Sequence, residues 1–357
     1  MTNNPKEMAE IVATYHKQIQ HNDHDPTLGP EWVTLENTLD PVRVKLSEMS
    51  KRKLCEDIDE ERVREAMKNT NLEKTPGLDG ILVKLWKTMD SQFRAKRGVN
   101  DASPRCNIVW ALTQVYQDIE EHGMDVEAGF NEGCMTPIYK KKGPDDIVNY
   151  RLITLLSTNY KIYTKAISIS LVEVVPEVVN RDQAGFIQGR SIFDQVKTTK
   201  LVIDYMEQTN RGGAVVALDQ EKAYDKILHP YLWVVLEKFE FPPRFIRTMK
   251  TLYQGAKTRI LINRELSRTI PIIRGVQQGD PLSCLLFNLA IEPLAELIQK
   301  SNTLSGIPIP NHREYLKVKL FADDTMVFLS ERDKVRNLQS ILRGWCAALG
   351  AVRTQRF

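Results

Sequence analysis

The sequence predicts an α+β fold, an antiparallel sheet packed on helices with a polar cleft at one end. Three observations carry this. The stretch Leu320-Phe321-Ala322-Asp323-Asp324-Thr325-Met326-Val327-Phe328-Leu329 sets two carboxylates between apolar, partly β-branched runs, the pattern of a tight β-hairpin with the acidic pair at its turn. Ala214-Val215-Val216-Ala217-Leu218 is a short apolar run, read as a buried strand, and it ends on a third carboxylate, Asp219. Around these lie long stretches with apolar residues at helical spacing.

The acids point to a chemistry. Neighbouring strand side chains face opposite ways, and a turn relaxes that rule, so Asp323 and Asp324 can reach one cleft. Like charges this close raise each other's pKa unless a cation sits between them. Three carboxylates at two strand ends can hold two hard cations through oxygen ligands. Two such ions, roughly 3.5–4 Å apart, clamp the attacking and leaving oxygens of a phosphoryl displacement. Asp219, Asp323 and Asp324 are therefore the candidate metal ligands and catalytic centre of a nucleic-acid polymerase.

Composition bounds the rest. A net charge of +3 carries no global polybasic signal, so nucleic-acid affinity has to come from local patches. Cys55, Cys106, Cys134, Cys284 and Cys346 are scattered and form no C-x-x-C pair, which reads as reduced thiols in an intracellular protein. The N-terminus lacks an apolar leader core. No run approaches the ~20 apolar residues of a membrane span, so no membrane partner is expected.

In chain order, Met8, Ile11, Val12, Tyr15 and Ile19 mark a first helix. His16, His21 and His24 read as its solvated end rather than a metal site, since no Cys or acidic cluster accompanies them. A polar loop follows at 23–30. A second helix runs from about Asp59 to Lys68, with Asp57 or Asp59 as N-cap. Lys74-Thr75-Pro76-Gly77-Leu78-Asp79-Gly80 is a surface turn, or a basic loop beside nucleic acid. An exposed loop is expected at 94–105 and a helix at 108–119. Met135–Tyr139 and Asn149–Leu156 read as strands joined through Lys140-Lys141-Lys142-Gly143-Pro144. A hairpin carrying Lys140 and Arg151 suits a triphosphate, Lys as a point charge and Arg as a bidentate fork.

A buried helix spans 159–175, where Pro176 interrupts it. In Gln183-Ala184-Gly185-Phe186-Ile187-Gln188-Gly189-Arg190-Ser191 the glycines allow close backbone approach, and Arg190 can reach a phosphate. An amphipathic helix follows at 192–206. Tyr224, five residues past Asp219, is either a core aromatic or a ring covering the sugar of an incoming nucleotide. Helices at 231–239 and 243–253 precede a strand pair, 258–262 and 269–273. Gly275 to Gly279 can approach a base pair, with Gln278 offering donor and acceptor. Asp280 and Pro281 suit the start of a long helix. A last helix spans 335–349.

The ordered set of Lys140, Arg151, Gly189-Arg190, D-Q-E-K-A-Y-D from Asp219, Q-G-D-P-L-S from Gln278 and F-A-D-D from Phe321 closely resembles the reverse transcriptases of non-LTR (long-interspersed-element type) retrotransposons. The likeness covers nearly the whole chain. The Tyr15-His16 helix and the K-T-P-G-L-D-G loop resemble the segment before such proteins' fingers.

The resemblance implies a right-hand polymerase: an N-terminal helical extension over 1–71, then fingers and palm over 72–357, with a core of about 130–357. It implies that Asp219 and Asp323 bind two Mg²⁺ ions (Mn²⁺ as a substitute) and that Asp324 supports them. Lys140 and Arg151 hold the dNTP triphosphate, Tyr224 gates its sugar, and Gln278 packs near the nascent pair. Gly189 and Arg190 lie along the template strand. RNA template and DNA primer are the expected partners, and a nuclear location follows from the family's habit.

Leu152 and Gln188 stand where the family usually has Pro. Val352 to Phe357 departs from the family's continuation into a thumb, and the endonuclease that often precedes the polymerase is absent, so a truncated element without a thumb is expected. The competing expectations are a relic that binds nucleic acid without turnover and an RNA-templated RNA polymerase, the latter disfavoured by Tyr224.

Overall fold

The computed structural model describes residues 2–21, 32–95, 106–140, 143–309 and 313–349. The loop at 23–30 with His24, most of the 94–105 loop, Lys141 and Lys142, and the end from Gly350 lie outside the described residues.

Helices lead the chain: α1 (Pro5–His21), α2 (Trp32–Leu39), α3 (Glu48–Cys55), α4 (Glu60–Lys68), α5 (Val83–Ala95) and α6 (Ile108–His122). Asp59 caps α4 by accepting the Arg62 amide at 2.8 Å, which stabilises the first turn as expected. Helices α2, α3 and α5 went unread in the sequence. α3 carries charge around most of its circumference, and its clearest signal is its cap, Ser47, which accepts the Ser50 amide. Leu35, Leu39, Ile58, Val63 and Met67 join one hydrophobic core with Tyr160, Leu232, Leu286 and Trp345. Helices before and after residue 71 thus share one core.

The first sheet is built on the hairpin of β1 (Gly133–Tyr139) and β2 (Tyr150–Leu156), paired antiparallel from Gly133–Leu156 to Tyr139–Tyr150. α7 (Thr158–Val174) follows, buried on most sides, and Pro176 turns its end into a 3₁₀ turn. Next come α8 (Ile192–Gln208), β3 (Gly213–Leu218), α9 (Ala223–Lys226), α10 (His229–Lys238) and α11 (Pro243–Tyr253). β4 (Lys257–Ile262) then joins β1 in parallel, and β5 (Glu265–Leu266) and β6 (Ile270–Pro271) fold back on it. α12 (Ser283–Lys300) leads to a short pair, β7 (Ile307–Pro308) and β8 (Tyr315–Leu316), and to β9 (Val318–Phe321), β10 (Asp324–Ser330) and α13 (Val335–Leu349). The second main sheet has the order β3-β10-β9, all antiparallel, with β9 against α8 and α12. This is the expected antiparallel sheet on helices.

One expectation is corrected here. β3 is a half-exposed edge strand rather than a buried one: of its residues only Leu218 is buried. Its small and β-branched residues suit an edge as well as a core, so composition alone could not separate the two. The expected amphipathic helix is α8, which packs through half-buried Val202 and Met206, while Phe193, Val196 and Leu201 are exposed. None of the five cysteines is joined in a disulfide. Among the described residues no helix is long and apolar enough to cross a membrane.

His16 is also corrected. It is 1% exposed, on the face of α1 that packs on β4. Neither ring nitrogen has a hydrogen-bond partner. Burial, with the nearby Lys222 charge, pulls its pKa to about 4, so the ring is neutral at pH 7. Replacing a buried polar group that has no partner with an apolar one of similar size removes a desolvation cost. His16→Leu is expected to stabilise the chain by about 1–2 kcal/mol at pH 7.5 in thermal unfolding. The gap should widen as pH falls from 6.5 to 4, by on the order of 3 kcal/mol, because only the wild-type unfolded chain gains a proton there. A lower melting temperature for the variant at pH 7.5 would contradict this.

Candidate active site

The acidic hairpin closes as the sequence indicates. Phe321 pairs with Asp324 across a two-residue turn, Ala322-Asp323, and Ala322 takes the left-handed φ of +55° that the reversal needs. Asp323 lies in the turn and Asp324 opens β10. On β10's other side Thr325 pairs with Leu218, so Asp219 leaves β3 beside the turn. All three acids line one cleft of about 360 Å³. The Asp324 carboxyl is raised above the ordinary range, first by burial and then by the charges of Asp323 and Asp219.

These residues fit divalent ions. The donors are hard carboxylate oxygens, and the repulsion that raises Asp324 is what a cation relieves. Among the described residues no three Asp, Glu, His or Cys side chains are grouped to hold an ion as they stand. The acids share the cleft without being drawn together.

Cations line the same cleft. Lys140 directly follows β1 and Arg151 is the second residue of β2, and both line the cleft as expected. Lys222 joins them, at a left-handed φ of +52°, with its ammonium donating to the Tyr150 carbonyl at 3.0 Å. Its pKa is lowered, by burial first and also by Lys140 and Arg151, against the pull of Asp225 and Glu221. Lys222 was not singled out in the sequence, although it stands inside D-Q-E-K-A-Y-D. Asp225, beside these cations, was missed too; burial pushes its carboxyl to about 6 despite Lys222, Lys140 and Lys226.

Tyr224 lies on the floor, stacked on Phe287 with centroids 4.4 Å apart and planes at 13°. Its hydroxyl hydrogen-bonds the Cys284 thiol, and burial raises the phenol's pKa. Phe186, another cleft residue the sequence reading left unassigned, is 52% exposed at φ +57°.

Gln278 lines the cleft and its carbonyl accepts the Thr154 amide at 2.7 Å, joining β2 to the approach of α12. Gly279 sits at φ +125°, and a Cβ there would lie 2.3 Å from the Thr154 carbonyl oxygen. Gly279→Ala is therefore expected to cost about 2–4 kcal/mol in denaturant unfolding; unchanged stability would contradict the contact. The N-cap expected at Asp280 is corrected: α12 begins at Ser283, and the buried Asp280 carboxylate accepts the Leu282 amide at 3.0 Å, closing the turn before the helix. Burial raises this carboxyl to about 6.

Gly189 and Arg190 are the predicted site residues that the structure leaves outside the cleft. The Arg190 guanidinium donates to the carbonyls of Asn180, Gln183 and Val179. It braces its own loop instead of standing free for a phosphate. The 74–80 turn lies largely exposed, in keeping with a surface turn, and is anchored where Lys161 donates to the Thr75 carbonyl at 3.3 Å.

Residues 139–352 match the family model described as reverse transcriptase (RNA-dependent DNA polymerase). Among curated relatives, the transposon TX1 uncharacterized 149 kDa protein of Xenopus laevis is 31% identical over 310 residues, covering 86% of this chain and 22% of that protein. The probable RNA-directed DNA polymerase from transposon BS of Drosophila melanogaster is 24% identical over 301 residues, 80% of this chain and 30% of that protein. The Pol polyprotein from retrotransposable element R2 of Nasonia vitripennis is 25% identical over 197 residues, 55% and 18% respectively. The chain thus spans less than a third of each of these relatives. With the match extending over more than half its length, the chain belongs to the reverse transcriptase (RNA-dependent DNA polymerase) family, in its non-LTR retrotransposon branch.

Proposed function

We propose that the chain adds deoxynucleotides to a primer 3′-hydroxyl on an RNA template. The observation that carries this is the meeting, in one cleft, of Asp219, Asp323 and Asp324 with Lys140, Arg151 and Lys222. Acids that can hold cations and bases that can hold phosphates, gathered in one cleft, are what phosphoryl transfer needs.

The family depends on divalent metal and binds an RNA template with a nucleic-acid primer. In the proposed reading Asp219 and Asp323 hold two Mg²⁺ ions and Asp324 supports them. When bound, the ions supply charge neutralisation at the transferring phosphoryl group and make the primer hydroxyl more acidic. Arg151 forks onto triphosphate oxygens, while Lys140 and Lys222 add point charges. The Tyr224 ring, held flat by Phe287, covers the sugar where a 2′-hydroxyl would sit. Gln278 orients the nascent pair from a backbone already fastened to β2.

The test is dNTP incorporation by the purified chain on poly-rA primed with oligo-dT. Incorporation that needs both a divalent ion and dNTP supports the reading. Tight binding of the primed RNA with no incorporation would contradict it in favour of a binding module. A preference for rNTPs over dNTPs would overturn the role given to Tyr224.

A further inference from the structure

The turn that carries Asp323 is held by a side chain from elsewhere in the chain. Gln183 is 1% exposed. Its amide oxygen accepts the Ala322 N–H at 2.8 Å and the Gly185 N–H at 2.8 Å, and its amide nitrogen donates to the Ala322 carbonyl at 3.3 Å. Both backbone groups of Ala322 are thereby paired by one residue. Backbone bonds run alongside: Leu320 N–H to the Asp182 carbonyl and Ala184 N–H to the Leu320 carbonyl, each 2.9 Å. Gly185 packs so closely that a Cβ on it would lie 2.3 Å from the Ala322 nitrogen.

The bracket is itself fixed from three sides. Asn288 of α12 donates to the Gly185 carbonyl at 2.6 Å, Asp182 pairs with Lys319 of β9 at 2.6 Å, and Arg190 donates to the Gln183 carbonyl at 2.7 Å. Ala322 needs this, because a non-glycine residue at φ +55° is held there only when its surroundings over-determine it.

We propose that Gln183 is a positioning residue for the acidic turn: its buried amide holds Ala322, and through it Asp323, in the place from which the acids can meet a divalent ion. The role of that ion rests on the polymerase reading above; the clamp itself does not.

Amide hydrogen exchange on the full 357-residue chain, resolved to single residues, tests the clamp apart from activity. In the wild type the Ala322 amide should exchange slowly although it lies in a turn. Gln183→Met, similar in size and without hydrogen-bonding groups, should speed exchange across 318–326 by roughly tenfold and leave the other core segments unchanged. Gln183→Glu keeps an acceptor for both amides but sets a second oxygen against the Ala322 carbonyl in a buried site, so it should lose much of the protection at pH 7.5 as well. In parallel, the Mg²⁺ concentration for half-maximal extension should rise about fivefold or more in Gln183→Met.

Fast exchange of Ala322 in the wild type would overturn the proposal, whether or not the Met variant folds. So would a Met variant that loosens the whole chain evenly, or one with unchanged hairpin exchange and metal dependence. A slow Ala322 amide in a wild type that never extends a primer would leave the clamp standing and sink the polymerase reading.

Discussion

Asp219→Asn is expected to lower metal-dependent extension of a primed RNA by roughly 10³-fold or more, and Asp323→Asn to do the same. Each change is nearly isosteric and removes one carboxylate charge. Both residues line the cleft that also holds Asp324, and their charges already act on it. Because the three acids repel one another, neither substitution should lower the melting temperature. Loss of activity with stability kept would separate a chemical role from a structural one. Wild-type-like extension by either variant, measured as radiolabelled dNTP incorporation, would contradict the assignment.

Arg151→Ala is expected to raise the KM for dNTP by about 10- to 100-fold, with a smaller change in kcat. Arg151 sits at the exposed start of β2, where it contacts the cleft and reinforces the positive field around Lys140 and Lys222. Its loss removes charge-assisted bonds to the triphosphate and leaves the acids in place. Arg151→Lys should recover only part of the effect, because an ammonium cannot fork onto two oxygens. Steady-state kinetics against dNTP concentration checks this. An unchanged KM in Arg151→Ala would place the triphosphate elsewhere.

Much of the site was legible because it is written in short runs. F-A-D-D lies between two apolar strands, and A-V-V-A-L ends on Asp219; strand pairing then does the rest, since Leu218 opposite Thr325 leaves little freedom for Asp219. Lys140 and Arg151 were legible for the same reason, as residues flanking the turn of one hairpin. What local runs do not show depends on contacts distant in sequence. Arg190 looks like a phosphate contact until its loop folds back and presents three carbonyls to it. Gln183 bonds a residue 139 positions away, and no local pattern announces that. His16 was misjudged because α1's partner, β4, comes some 240 residues later, so the buried side of the helix could not be told from the solvated one. Lys222 was overlooked because its backbone takes a conformation unusual for lysine, which turns the ammonium toward Tyr150.

The central claim is that Asp219 and the 323–324 turn together hold divalent metal at the reacting end of a primer. Manganese binding reports on this most directly. The chain would be mixed with RNA bearing a dideoxy-terminated primer and the matching dNTP, and the electron-spin resonance of free Mn²⁺ followed as the ion is added. The account predicts that the wild type removes Mn²⁺ from solution and that Asp219→Asn and Asp323→Asn each leave markedly more of it free. Equal Mn²⁺ binding by all three proteins would contradict it.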